Sequence, residues 1–142
     1  MKRDNKGFTL IEIMLVVLII GIIGAIIFPR LTGKAKQARI NATKSQIKSI
    51  EAALQNYEMD NDRFPTTEQG LAALVEKPTI DPPPNWNGPY LPELPTDAWG
   101  NEFKYRCPGE NGRDYDIISL GPDGVEGTED DIKSWELNKR NK

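Results

Sequence analysis

Hydrophobic and polar positions follow different periods in successive parts of the chain. Residues 13–28 form a run of 16 without a polar side chain, and residues 8–12 extend it to 21. At ~1.5 Å of rise per residue that is about 31 Å of helix, enough to cross the hydrocarbon core of a bilayer. A secretory signal has a shorter apolar part and a small-residue cleavage site after it. Here Phe28-Pro29-Arg30 follows, and the segment reads as a retained anchor. Beyond Pro29 the apolar positions thin to a stripe: Ile47, Ile50, Leu54 and Tyr57 fall at i, i+3, i+7 and i+10. Ala35, Ala38, Ala42, Ala52 and Ala53 favour the same conformation. The pattern predicts one long helix over 8–59, apolar all round in its first half and amphipathic in its second. Gly21, Gly24 and Pro29 are its weak points, because glycine costs ~1 kcal/mol and proline ~3 kcal/mol in a helix interior. Gly21 and Ala25 form a small-xxx-small pair that lets another helix approach, although glycine is also simply common in transmembrane helices.

Residues 60–66 (DNDRFPT) break this pattern. Thr66-Thr67-Glu68-Gln69 fits a capping box, and Leu71, Leu74 and Val75 share a face, which predicts a short second helix to about Lys77. Residues 78–101 are rich in Pro, Asn and Gly and read as an ordered loop with Trp86, Tyr90 and Trp99 as core anchors. Residues 102–106 and 115–120 read as strands joined across CPGENGRD, with a third at 132–137. There are no internal repeats, and the polar tail 138–142 is expected to fray. The fold class is α+β, a long N-terminal helix packed on a small antiparallel sheet.

Composition removes several chemistries. The chain has no histidine, which excludes a Ser-His-Asp or Cys-His centre and any histidine-bearing zinc site. Its single Cys107 has no internal disulfide partner and reads as an inert, partly buried thiol. The net charge of −3 hides an asymmetry: residues 30–50 carry six bases and no acid, whereas residues 51–142 carry 19 acids and 9 bases, a net of −10. The basic block is short and the rest repels phosphate, so nucleic acid is not an expected partner. The block reads as a solvated or headgroup-facing helix surface, with a second role against an acidic neighbouring subunit. Lys2, Arg3 and Lys6 precede the anchor and Arg30, Lys34, Lys36 and Arg39 follow it, a raw count that would put the C-terminal side in the cytoplasm.

The anchor contains a carboxylate, Glu12, where an ionised group costs ~2.5–3.5 kcal/mol on insertion scales. Two readings fit it. It can be a carboxyl near the headgroups or held neutral, because only four residues separate it from the segment's edge at Phe8. Alternatively it waits for a cation: a cut after Gly7 would leave an α-amino group on Phe8, one helical turn away in the same chain or facing Glu12 of a neighbour. Gly7-Phe8-Thr9-Leu10-Ile11-Glu12 ahead of an apolar run resembles the type IV prepilin leader. The resemblance implies cleavage between Gly7 and Phe8 by a prepilin peptidase, N-methylation of Phe8, and a role for Phe8 and Glu12 in docking subunits into a helical filament. It also implies a cytoplasmic leader and a periplasmic domain, against the charge count, and loss of helicity near Gly21, Gly24 and Pro29 on assembly.

A second locus is LGPDGVEGTEDDI, residues 120–132, where Asp123, Asp130 and Asp131 share a loop with Gly121, Gly124 and Gly127. Oxygen ligands without His or Cys suit Ca²⁺, but the spacing is not an EF-hand, and an acidic surface turn fits the residues as well. SLGPDGVEGTEDDI is similar to the calcium loop of the major pseudopilins of type II secretion systems, as are TTEQGLAAL, NWNGPYL and DAWGNEFKY. In the last of these Ala98 stands where the family usually has proline. The likeness spans nearly the whole chain. It implies Ca²⁺ held by the side chains of Asp123, Asp130 and Asp131, the carbonyls of Leu120 and Val125 and an oxygen of Thr128, with Glu126 and Glu129 facing solvent.

The implied protein is a non-enzymatic, type IV pilin-like subunit: a leader at 1–7, a membrane and assembly segment at 8–29, and a periplasmic domain at 30–142. That domain comprises helix at 30–59, loop and short helix at 60–101, and sheet and calcium loop at 102–142. It would polymerise as a periplasmic filament that helps drive folded exoproteins across the outer membrane. The implied partners are further copies of itself, minor pseudopilins, the prepilin peptidase, the inner membrane and its assembly platform. A type IV pilin for adhesion or motility is the nearest alternative, but such chains usually close their C-terminal region with a cysteine pair. A tip-forming minor pseudopilin fits Glu12 and the calcium loop less well. A membrane-anchored periplasmic enzyme or calcium-binding module would need an acid–base pair beside Trp86, Tyr90 and Trp99, and none is evident.

Overall fold

The computed structural model describes residues 7–137, except the side chains of 29–32. Lys2, Arg3 and Lys6 of the leader, the Arg30 side chain and the tail 138–142 lie outside the described residues. The chain divides into two compact units, Met1–Ala38 and Arg39–Lys142.

Helix α1 runs Leu10–Asn61, 52 residues, close to the expected 8–59. Its helical assignment passes Gly21, Gly24 and Pro29 without a break, so the expected weak points are helical here. A Cβ at Gly21 or Gly24 would meet open space, so no contact within the described chain dictates either glycine. In the first unit every residue from 7 to 28 is exposed. The helix ends where Asp62 takes a positive φ of 57°, the left-handed residue that commonly closes a helix, and Asn61 Nδ2 donates to the Tyr57 carbonyl at 2.8 Å.

In the second unit the stripe found in the sequence is the core: Ile47, Ile50, Leu54 and Tyr57 are each 0 % exposed. Strands β1 (Lys104–Arg106), β2 (Asp116–Ser119) and β3 (Ile132–Lys133) form an antiparallel sheet in the order β1-β2-β3. Tyr105 pairs with Ile117 and Ser119 with Ile132 in register. Each strand is shorter than its sequence pattern predicts. The third gives way to a 3₁₀ turn, Ser134–Glu136, because the Ser134 hydroxyl accepts the Ile117 amide at 3.2 Å where a ladder carbonyl would otherwise serve.

The short second helix is also shorter than expected. The capping box forms, with Thr66 N donating to Gln69 Oε1 at 3.0 Å and Gln69 N to Thr66 Oγ1 at 3.2 Å. Gly70 then adopts φ 59°, which no α-helix tolerates, and only a 3₁₀ turn, Leu71–Leu74, follows. The loop 78–101 is ordered as the aromatics suggested. Trp86 Nε1 donates to the Ala73 carbonyl at 2.9 Å, and Tyr90 O–H to Asp60 at 2.7 Å. Trp86, Tyr90 and Trp99 all pack against the core. Gly88 is required there, since a Cβ would lie 2.5 Å from the Trp86 ring.

Buried polar groups tie these elements together. Asp97 accepts the amides of Trp99 and Asn101, each at 2.9 Å, and the Ser119 hydroxyl at 2.7 Å. The Ala98 amide donates to Oγ1 of the fully buried Thr43 at 3.2 Å, a bond that a proline at 98 has no N–H to make. Asp116, 2 % exposed, accepts Arg113 Nε at 2.5 Å and Nη2 at 3.0 Å, and the Glu110 amide at 2.9 Å. Arg113 also stacks 4.1 Å over the Trp135 ring. The Arg113 bonds, with the Glu110 amide, hold the Asp116 carboxyl below the usual range despite its burial.

Leu54→Ala should lower unfolding free energy by about 2–5 kcal/mol, read by chemical denaturation, because it empties the centre of the fully buried helix stripe. Asp116 is depressed in the folded state, so its stabilisation is complete above the ordinary aspartate range and is lost as pH falls through the depressed value. Melting followed from neutral to acid pH should show this loss in the parent and a flatter acid limb in Asp116→Asn.

Candidate functional site

The N-terminal locus is built by helix capping. Thr9 precedes the first residue of α1 and Glu12 sits three residues later. The Thr9 amide and hydroxyl donate to Glu12 Oε2 at 2.7 and 3.0 Å, and the Glu12 amide donates to Thr9 Oγ1 at 3.3 Å. This is a reciprocal capping box at the mouth of an apolar helix. It satisfies one carboxylate oxygen within the chain and uses the negative charge where the helix N-terminus favours it. Phe8, 84 % exposed, stands just before it, beside the exposed Gly7. Thr9 is the participant that the apolar pattern does not reveal. Its signal was present, since Thr-x-x-Glu ahead of an apolar run is a capping signature.

Between Leu10 and Phe28 every large apolar side chain is exposed, and the least exposed, Ile19, is still 47 % exposed. A surface of this extent is the signature of a lipid or protein interface.

The acidic loop follows β2. Gly121, Gly124 and Gly127 all adopt positive φ. Gly121 also faces a close approach: a Cβ there would lie 2.6 Å from the Asp130 carbonyl oxygen, so the two ends of the loop close on each other. Asp123 Oδ1 accepts the Val125 amide at 3.0 Å, Asp131 Oδ2 accepts the Gly127 amide at 2.8 Å, and Thr128 Oγ1 donates to the Val125 carbonyl at 3.2 Å. Asn101 Nδ2 anchors the loop's start through the Gly121 carbonyl at 2.9 Å. The loop thus gathers Leu120, Asp123, Val125, Thr128, Asp130 and Asp131 on one short turn. Among the described residues, however, no three acidic, Cys or His side chains converge as a metal cluster. One observation favours a cation: Asp131 Oδ1 is buried and has no hydrogen-bond partner. A hard, oxygen-only donor set beside an orphaned carboxylate oxygen fits Ca²⁺. Glu126 is exposed, as expected, and also pairs with Arg106 Nη2 at 2.6 Å.

Comparison with known proteins bears on the family and on the N-terminal locus. Residues 30–135 match the family described as type II secretion system (T2SS), protein G, and residues 2–28 match the prokaryotic N-terminal methylation motif. The type II secretion system core protein G of Pseudomonas aeruginosa is 49 % identical over 140 residues, covering 95 % of this chain and 98 % of its own. That of Pectobacterium carotovorum is 48 % identical over 139 residues, covering 96 % and 88 %. The solved major pseudopilin of the type 2 secretion system of enterohaemorrhagic Escherichia coli superposes with a TM-score of 0.66 at 45 % identity, over 75 % of this chain and 95 % of that one. With an N-terminal methylation motif on an exposed apolar helix, followed in sequence by a small three-stranded domain, the chain belongs to the type II secretion system protein G family, the major pseudopilins.

Proposed function

We propose that this subunit acts through cleavage between Gly7 and Phe8, methylation of Phe8, and polymerisation as a periplasmic filament that pushes or plugs during export of folded proteins. The family is structural and non-enzymatic, and its methylation motif implies processing by a prepilin peptidase and polymerisation. The observation that carries the finer reading is the exposed apolar helix, which finds no cover among the described residues. Lipid covers it in the inner membrane, with residues 1–7 cytoplasmic, 8–29 spanning and 30–142 periplasmic. Like helices of neighbouring copies cover it in the filament.

Glu12 is poised for the transfer between these environments. The capping box satisfies one of its oxygens internally while the helix lies in lipid, and the other oxygen remains for the new Phe8 amine of the same chain or a neighbour. Minor pseudopilins and the inner-membrane assembly platform are the further partners of this reading.

In the domain, the side chains of Asp123, Asp130 and Asp131, the carbonyls of Leu120 and Val125 and an oxygen of Thr128 would hold Ca²⁺. The ion would neutralise the carboxylates and order the loop. The residues already prepare for it: Gly121 lets the loop ends meet, and Asp123 and Asp131 each use one oxygen on a loop amide.

Deleting the gene should trap exported hydrolases in the periplasm, and re-expression of the wild type should release them. Glu12→Ala should insert in the membrane to a normal level yet fail to restore export. Normal export in the deletion strain, with motility or adhesion lost instead, would make the chain a pilin. In a thermal melt of the chain, Ca²⁺ should raise Tm relative to chelator, because an ion bound only by the folded state stabilises it. Asp130→Ala and Asp131→Ala should each abolish that rise; equal melting of the parent with and without Ca²⁺ refutes the metal assignment.

A further inference from the structure

The loop at 120–132 carries Asp123, Glu126, Glu129, Asp130 and Asp131 and no base. Five like charges on so short a turn repel one another, so the loop's fold without a cation needs a counter-charge from elsewhere. Among the described residues, Arg106 is the only base whose ion pair reaches it. Arg106 closes β1, whose pattern places it on the exposed side of the sheet. Its guanidinium is shared between two carboxylates, with Nη1 3.0 Å from Glu110 Oε1 and Nη2 2.6 Å from Glu126 Oε1. Glu110 belongs to the connection between β1 and β2, so one planar group joins the β1 end, that connection and the middle of the loop. The loop is thereby held at its start by Asn101 on the Gly121 carbonyl, at its centre by Arg106, and at its end by β3.

We propose that Arg106 is a positioning residue that holds Glu126, and with it the turn bearing Asp123 and Val125, in place before any cation arrives. Glu126 is not one of the ligand residues assigned above, so the tether and an ion need not compete for the same oxygen. The inference rests on the reading of this loop as a Ca²⁺ site for its purpose, but the tether itself stands on the two Arg106 ion pairs.

Hydrogen exchange on the full chain in detergent micelles with EGTA tests it. The Val125 and Gly127 amides report on the loop, because their acceptors are Asp123 and Asp131. Arg106→Ala should speed exchange at both by about two- to fivefold, the range commanded by an exposed ion pair. Ile117 and Ile118 on β2 should keep their parental rates. The charge-exchanged pair Arg106→Glu with Glu126→Arg should return the loop amides toward the parental rate. Unchanged loop exchange in Arg106→Ala, or equal acceleration at Ile117 and Ile118, overturns the proposal. Adding Ca²⁺ separates the two readings. Slower loop exchange with the ion, and a smaller difference between parent and variant, supports the site as well as the tether. No response to Ca²⁺ alongside an accelerated variant in EGTA removes the calcium reading and leaves the tether standing.

Discussion

Packing of the sheet on one face of α1 is the contact without which the domain has no core. The three strands contribute three, four and two residues, too few for a sheet to sustain itself. Ile47, Ile50, Leu54 and Tyr57 supply the opposing layer, and each is sealed completely from solvent. Two layers around one apolar seam is the least a domain can be built from. Residues 10–28 of the same helix carry the opposite condition, with every side chain exposed.

With so little regular structure, buried side-chain hydrogen bonds do much of the joining. Asp97 gathers two amides and a hydroxyl, Gln69 donates to the carbonyls of Ile80 and Asp81, and Thr43 accepts the Ala98 amide across 55 residues of sequence. Removing one partner from such a set strands the others, which costs about 1–3 kcal/mol for each buried group left unpaired. The alanine at 98, where the family resemblance implies proline, keeps an N–H that this network uses.

The long helix, its buried stripe and the strand centres were legible in the sequence because each rests on local periodicity. Element ends were not, because they are set by distant partners: Ser134 ends the third strand by bonding Ile117, and nothing near Ser134 announces that. The second helix is shorter than its capping box signals because Gly70, four residues beyond Thr66, takes a positive-φ conformation that stops it. At the N-terminal locus Glu12 stands out by its cost in an apolar segment, whereas Thr9 is legible only through the Thr-x-x-Glu spacing of a capping box. In the acidic loop the glycines and aspartates were visible, whereas the Arg106–Glu126 pair spans 20 residues and has no local sign.

The sheet's brevity has a consequence for a protein that gathers in many copies. Both outer strands, β1 and β3, are edges, of three and two residues. An open edge is a template on which identical chains zip together through their backbones, and crowding makes that reaction faster. Edges this short offer few open backbone groups before the chain turns away. Edge-to-edge pairing between crowded copies is therefore disfavoured by the brevity of the strands themselves.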